Sequence, residues 1–177
     1  MKLPIEIQKI KDPDGMSRLR AIISFPEAVT HTRLSQTLIQ IQNEYTEFVK
    51  ECGKLLKKIH SSRKCMSDSK LQWKLANRIY SFIKWVENNG CIFANISEAI
   101  PRDIDLSKSQ LNYLIKFRTY YSAVDDLHEE INWSKYRELL DIRNLKVRKS
   151  CEEKILSGEI KTDHDIREFK KRRREGK

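Results

Sequence analysis

The hydrophobic pattern changes period near residue 34. Before it, "IEIQKIK" (Ile5–Lys11) alternates apolar and polar positions, as a half-buried strand does. "KDPDG" follows as a turn signal, and "RLRAIISF" supplies a partner strand that stops at Pro26. These features predict a small N-terminal β-hairpin. From Leu34 onward, Leu34, Leu38, Ile41, Tyr45, Phe48, Cys52, Leu55 and Ile59 recur in alternating steps of four and three. That is a heptad seam, and it predicts one long helix over Thr32–His60. After the polar connector "SSRKCMSDSK", Leu71, Leu75, Ile79, Phe82 and Val86 repeat the helical spacing. The second stripe suits an antiparallel partner for the first. The alternative use of the seam is intermolecular: a homodimer through the helix of residues 34–59, or another protein subunit.

Helix stops and starts then come at short intervals. Asn89 and Gly90 suit a stop. Asn95 can cap "ISEAI", and Ser107 with Gln110 three residues on has the form of a capping box. Asn132 or Ser134 opens "SKYRELLDI", and Asn144 opens a helix that Gly158 closes. Thr162 opens the last, with Asp163 and Asp165 where the helix dipole favours acids. The predicted fold is all-α: a long helical hairpin followed by a compact multi-helix helix-turn-helix domain, with the β-hairpin in front. The segments are 1–33, a basic helical hairpin over 34–80, a helix-turn-helix domain over 81–168 and a basic tail over 169–177.

Charge narrows the choice of partner. The 177-residue chain carries a formal net charge of +10, with 39% hydrophobic and 34% charged residues. Nucleic acid is the expected acidic partner. No run of about 18 apolar residues exists to span a membrane, and the charged N-terminus does not have the form of a signal peptide. The expected location is the cytoplasm, in association with the nucleoid. Ten basic residues against two acidic ones lie between residues 50 and 84. Lys54 and Lys57 share one helical face, and Lys74 and Arg78 share another, so all four are expected to touch phosphates. The tail "FKKRRREGK" brings Lys170, Lys171, Arg172, Arg173 and Arg174. Three consecutive arginines cannot share one helical face. The tail is therefore expected to fray and to order along a phosphate backbone or in a minor groove. Its removal is expected to leave the melting temperature unchanged.

The stretch "ISEAIPRDIDLSKSQLNYLIKF" predicts two helices and a turn. Leu111, Leu114 and Ile115 face inward in the second helix, while Ser109, Asn112, Tyr113, Lys116 and Tyr120 face outward. Ser107, Lys108 and Gln110 crowd its N-terminal tip, which suits phosphate. Asn and Gln can pair bidentately with adenine, and Lys can reach guanine or phosphate. This is the pattern of a helix-turn-helix with a reading helix. The order "LSKSQLNYLIKF", "INWSKYRELLDI" and "VRKSCEEKILSGEIKTDHDIREFKKR" resembles the DNA-binding domain of the ParB/KorB partition family. Ser107, Lys108 and Ser109 match the family's recognition-helix start. Ser134, Arg137, Leu139 and Leu140 match its second signature, and Gly158, Thr162 and Ile166 its last. The resemblance covers roughly residues 81–171. It departs in "IPRDID", which makes the turn longer than the family's, and in the first 80 residues, where nothing resembles the family's nucleotide-binding domain. CTP-dependent clamping is therefore not implied.

Other chemistry finds little support. Motifs for phosphate loops, dinucleotide binding and zinc proteases are absent from the sequence. Cys52, His60 and Cys65 lack the tight ligand pairs of zinc sites. Asp125, Asp126, Glu129 and Glu130 beside His128 read as a solvated turn rather than a Mg²⁺ site. No metal and no cofactor is expected, and the four cysteines are expected as reduced thiols. Trp73, Trp85 and Trp133 suit packing. The expected function is non-enzymatic duplex-DNA binding, as a regulator or partition-type adaptor of a mobile element. The alternatives are a helical subunit of a nucleoprotein complex that binds backbone without sequence preference, and a helical protein-interaction module.

Overall fold

The computed structural model describes residues 3–11, 17–23 and 32–174. The described residues are mostly helical, with a small sheet. In chain order the elements are β1 (Leu3–Lys11), β2 (Ser17–Ile23), α1 (Thr32–His60), α2 (Arg63–Ser67), α3 (Ser69–Asn88), β3 (Cys91–Phe93), α4 (Ile96–Ile104), α5 (Lys108–Tyr120), α6 (Trp133–Leu139), α7 (Leu145–Leu156) and α8 (Asp163–Arg174). The turn residues Asp12 to Met16, and Pro26, lie outside the described residues. The chain divides into two compact units, and these are not consecutive blocks. One is Met1–Leu55 with Asn77–Asn112; the other is Leu56–Ala76 with Tyr113–Lys177.

In the first unit, β1 and β2 pair antiparallel from Ile5↔Ile23 to Lys11↔Ser17. Ile5 and Ile7 are buried, whereas Gln8 and Lys9 are exposed, so the alternation buries only the N-terminal half of β1. Gly90 ends α3 at a φ of +76°, where a side chain would be strained. The chain then lays β3 parallel to β1, giving the order β2-β1-β3. β3 was not expected, because three residues are too short to show a period. The core holds Tyr45 and Phe48 from α1, Phe82 from α3 and Phe93 from β3. The Phe48 and Phe82 rings stack at 4.7 Å, and Phe93 meets Tyr45 edge-on at 5.7 Å. Truncating one such ring costs about 3–5 kcal/mol.

This packing uses the middle of the seam within the chain. Ile41, Tyr45, Phe48 and Cys52 are fully buried within the chain. Burial pushes the Cys52 thiol up to about 12. Farther along α1, Leu56 is buried where the heptad pointed to Leu55.

The second unit also has an aromatic centre. Phe117 of α5 lies 5.0 Å from Trp133 and 5.2 Å from Tyr136, and Tyr121 meets Tyr136 at 5.0 Å. Trp73 donates from Nε1 to the Tyr121 carbonyl at 2.8 Å. The helix starts follow the capping chemistry. Asn132 accepts from the Lys135 N–H at 3.0 Å, and Asn144 from those of Lys146 and Val147 at 2.9 and 3.2 Å. Thr162 and Asp165 cap each other reciprocally. Backbone N–H groups at Thr162 and Lys161 hold the Asp165 carboxyl below its ordinary range. Gly158 closes α7 at a φ of +79°. The connector between α1 and α3 carries α2, with Ser62 accepting from the Cys65 N–H at 3.2 Å.

Candidate nucleic-acid interface

Side chains of the first unit hold α4. Asn95 precedes it but does not cap it. Instead Asn95 Oδ1 accepts from the Ile7 N–H, and Nδ2 donates to the Ile7 carbonyl, both at 3.0 Å. The amide thus continues the β1 edge just beyond β3. Arg102 donates to the same carbonyl at 3.4 Å and grips Asp103 at 2.6 and 2.8 Å. Asp103 in turn accepts from the Tyr45 hydroxyl at 2.8 Å. Burial, then the Asp103 charge, raises the Tyr45 phenol well above its ordinary range, so it remains a donor.

The turn into α5 is shorter than the sequence suggests. α4 runs through Pro101 to Ile104, leaving only Asp105, Leu106 and Ser107 before α5. Asp105 adopts a left-handed φ of 56°, and the Leu106 N–H donates to the Pro101 carbonyl at 3.0 Å. Aspartate tolerates this conformation better than most residues. A three-residue connection falls in the usual helix-turn-helix range.

Ser107 and Gln110 form the capping box. Ser107 Oγ accepts from the Gln110 N–H at 3.1 Å, and Gln110 Oε1 accepts from the Ser107 N–H at 2.8 Å. The Gln110 carbonyl oxygen is therefore occupied while the cap is intact. Leu111, Leu114 and Phe117 are buried, while Lys108, Ser109, Asn112 and Lys116 are exposed. Ile115, expected inward, is half-buried, and Phe117 takes the buried place one turn further on. Tyr113 is half-buried, with the Lys116 Nζ 5.8 Å and the Arg137 guanidinium 5.1 Å from its ring centre. Arg137, on α6, was not among the residues expected to touch DNA. Nothing in its local pattern reports that the fold brings it to Tyr113.

The basic helices separate into free and committed charges. Arg78 bonds Glu51 and Glu44, the latter at 2.8 Å, so its guanidinium already has carboxylate partners. Lys70 pairs with Glu129 at 2.5 Å, and Lys84 with Glu87 at 2.8 Å. Lys54, Lys57 and Lys74 are exposed and make no ion pair among the described residues.

The expected tail is helical through Arg174, which corrects the expectation of fraying there; residues 175–177 lie outside the described residues. Lys170 is largely buried and pairs with Glu138 at 2.5 Å and Asp141 at 3.4 Å. It therefore ties α8 to the end of α6, and removing it is expected to lower the melting temperature. Lys171, Arg172 and Arg173 are exposed.

Two of the acids around His128 serve local structure. Asp126 accepts from the Ala123 N–H at 2.8 Å, and Glu129 holds Lys70. Among the described residues no three His, Cys, Asp or Glu side chains gather as a metal site, and no helix is long and apolar enough to cross a membrane. The chain matches no family model, and no curated protein or solved structure shows a significant similarity to it.

Proposed function

We propose that this protein binds duplex DNA, with α4, the turn Asp105–Ser107 and α5 acting as a helix-turn-helix. The observation that carries the proposal is the outward face of α5. There Lys108, Ser109 and Asn112 stand exposed, behind a three-residue turn. Asn112 is the best base reader, because its amide makes no hydrogen bond among the described residues and Gln110 is engaged in the cap. Lys54, Lys57, Lys74, Lys171, Arg172, Arg173 and Arg174 supply phosphate contacts. In the first unit, α1 and α3 act as a helical hairpin. Glu51 meets Arg78 while Tyr45 meets Phe82, which is the contact order of antiparallel neighbours. The motif order shared with ParB/KorB proteins supports a regulator or partition-type adaptor of a mobile element, without enzymatic activity.

Selection of bound duplexes from a random pool tests the proposal. An enriched sequence is expected, and Asn112→Ala should then cost about 1–3 kcal/mol on that sequence and little on random DNA. Equal losses on both would show that α5 does not read bases. A second reading, backbone binding without sequence preference, draws on the second unit. Lys57, Lys58, Arg63, Lys64 and Lys74 are exposed there, with Asp68 as the only acid in residues 56–76. An unenriched pool that nevertheless binds with strong salt dependence would favour it.

A further inference from the structure

The second unit contains a cleft whose lining includes Lys116 of α5 but none of Ser109, Gln110 or Asn112. It lies among the C-terminal half of α5, the segment Leu140–Val147 and α8, and encloses about 640 Å³. Leu140 and Val147 give it an apolar floor, and Tyr120 gives it an aromatic wall. That wall is held in place. The Arg148 guanidinium lies 4.0 Å from the Tyr120 ring centre, and Arg148 is itself only 4% exposed. It also donates to the Ile142 carbonyl at 2.9 Å, so the cation that backs the ring is anchored. Lys116, Arg143 and Arg173 stand around the rim, from three different segments. None of them makes an ion pair among the described residues. The one carboxylate lining the cleft, Asp141, is directed to Lys170 at 3.4 Å.

We propose that this cleft binds a nucleotide unit, with the base against Tyr120, Leu140 and Val147 and the phosphate among Lys116, Arg143 and Arg173. A bare polyanion would leave the apolar floor unused. A neutral apolar ligand would offer no anion to the three rim cations, Lys116, Arg143 and Arg173. A flat apolar ring carrying phosphate satisfies both halves of the lining, and aromatic walls with adjoining cations are how proteins hold unpaired bases. The cleft volume falls in the range of ordinary small-ligand sites, about 300–1,000 Å³. The inference does not rest on the helix-turn-helix proposal, because duplex reading through Asn112 could fail while this site stands. The nucleotide could be free or part of an unpaired strand.

The test uses the full chain and a short fluorescein-labelled oligothymidylate, followed by anisotropy. Binding is expected, and Arg143→Glu should weaken it by at least about tenfold. Its melting temperature should stay near that of the parent, since Arg143 is exposed and unpaired among the described residues. An abasic strand of the same length should bind much more weakly than oligothymidylate. Displacement of the label by AMP or thymidine monophosphate identifies a free nucleotide as a ligand. Displacement only by a longer strand identifies the strand, and either outcome supports the cleft. Absence of binding, equal affinity for the abasic strand, or indifference to Arg143→Glu would overturn the proposal. Selection of duplex DNA by the parent chain, run in parallel, keeps the outcome separate from that of the α5 face.

Discussion

Gln110 and Asn112 are two residues apart on α5 and have opposite surroundings. Gln110 closes the capping box with Ser107, while Asn112 projects from the exposed face. Gln110→Ala is therefore expected to act on the helix start, lowering stability by about 1 kcal/mol without changing which duplex is selected. Denaturant unfolding and repeated pool selection check the two halves of that statement. A changed preferred sequence with unchanged stability would make Gln110 a reader after all. Asn95 shows the same dependence on surroundings. Its sequence context suits a helix cap, yet its amide bonds both backbone groups of Ile7. Only the nearness of β1 decides between the two uses, and β1 is far away in sequence.

At the scale of elements, the link between α6 and α8 depends on pH. Burial alone would raise the Glu138 carboxyl, but hydrogen bonds from Lys170 and Arg167 hold it below its ordinary range. A carboxylate depressed in the folded state adds stability above its unfolded pKa and loses it as pH falls through the folded value. Stability contributed by this link is thus expected at neutral pH and lost on acidification below the ordinary carboxylate range. Glu138→Gln should cost about 2 kcal/mol at pH 7 and flatten the acid side of the stability curve. Urea unfolding across pH checks this, and a parent-like acid slope in the variant would assign the acid sensitivity elsewhere. The same link explains why α8 stays helical through Arg174. Ile166 is fully buried and Lys170, one turn on, is fastened to Glu138. Charge repulsion among Lys171, Arg172 and Arg173 acts on a helix already anchored from behind.

For the whole molecule, the question is how much of the +10 net charge is available to a polyanion. Arg78 is not, because Glu44 and Glu51 already hold it. Lys57 and Lys74 are. Replacing both with glutamine is expected to reduce the slope of log affinity against log salt on duplex DNA by about 2. Arg78→Gln should leave that slope unchanged and lower the melting temperature instead. A slope that responded to Arg78→Gln as strongly would mean that DNA displaces its carboxylate partners. Sequence alone could not separate these cases. A charge count over residues 50–84 omits Glu44, which lies outside the window, and a helical face says nothing of what stands opposite it.

Local physics was enough to place most elements. The alternation in Ile5–Lys11, the four-three spacing from Ile41 to Ile59 and the caps at Ser107, Asn132, Asn144 and Thr162 all depend on residues within a turn or two of one another. The strand β1, the helix α1 and the starts of α5 to α8 were therefore legible from the chain. The exposed face of α5 was legible for the same reason, since one helix has one period. The tertiary structure decided what depends on groups distant in sequence. It placed β3 beside β1, turned the heptad seam inward onto Phe82 and Phe93, shortened the α4–α5 turn and brought Arg137 to Tyr113. It also determined which cations are already neutralised by carboxylates from elsewhere in the chain. Long-range pairings carry no period and leave no local signature, because their free energy comes from desolvation and contact that exist only once the chain has folded.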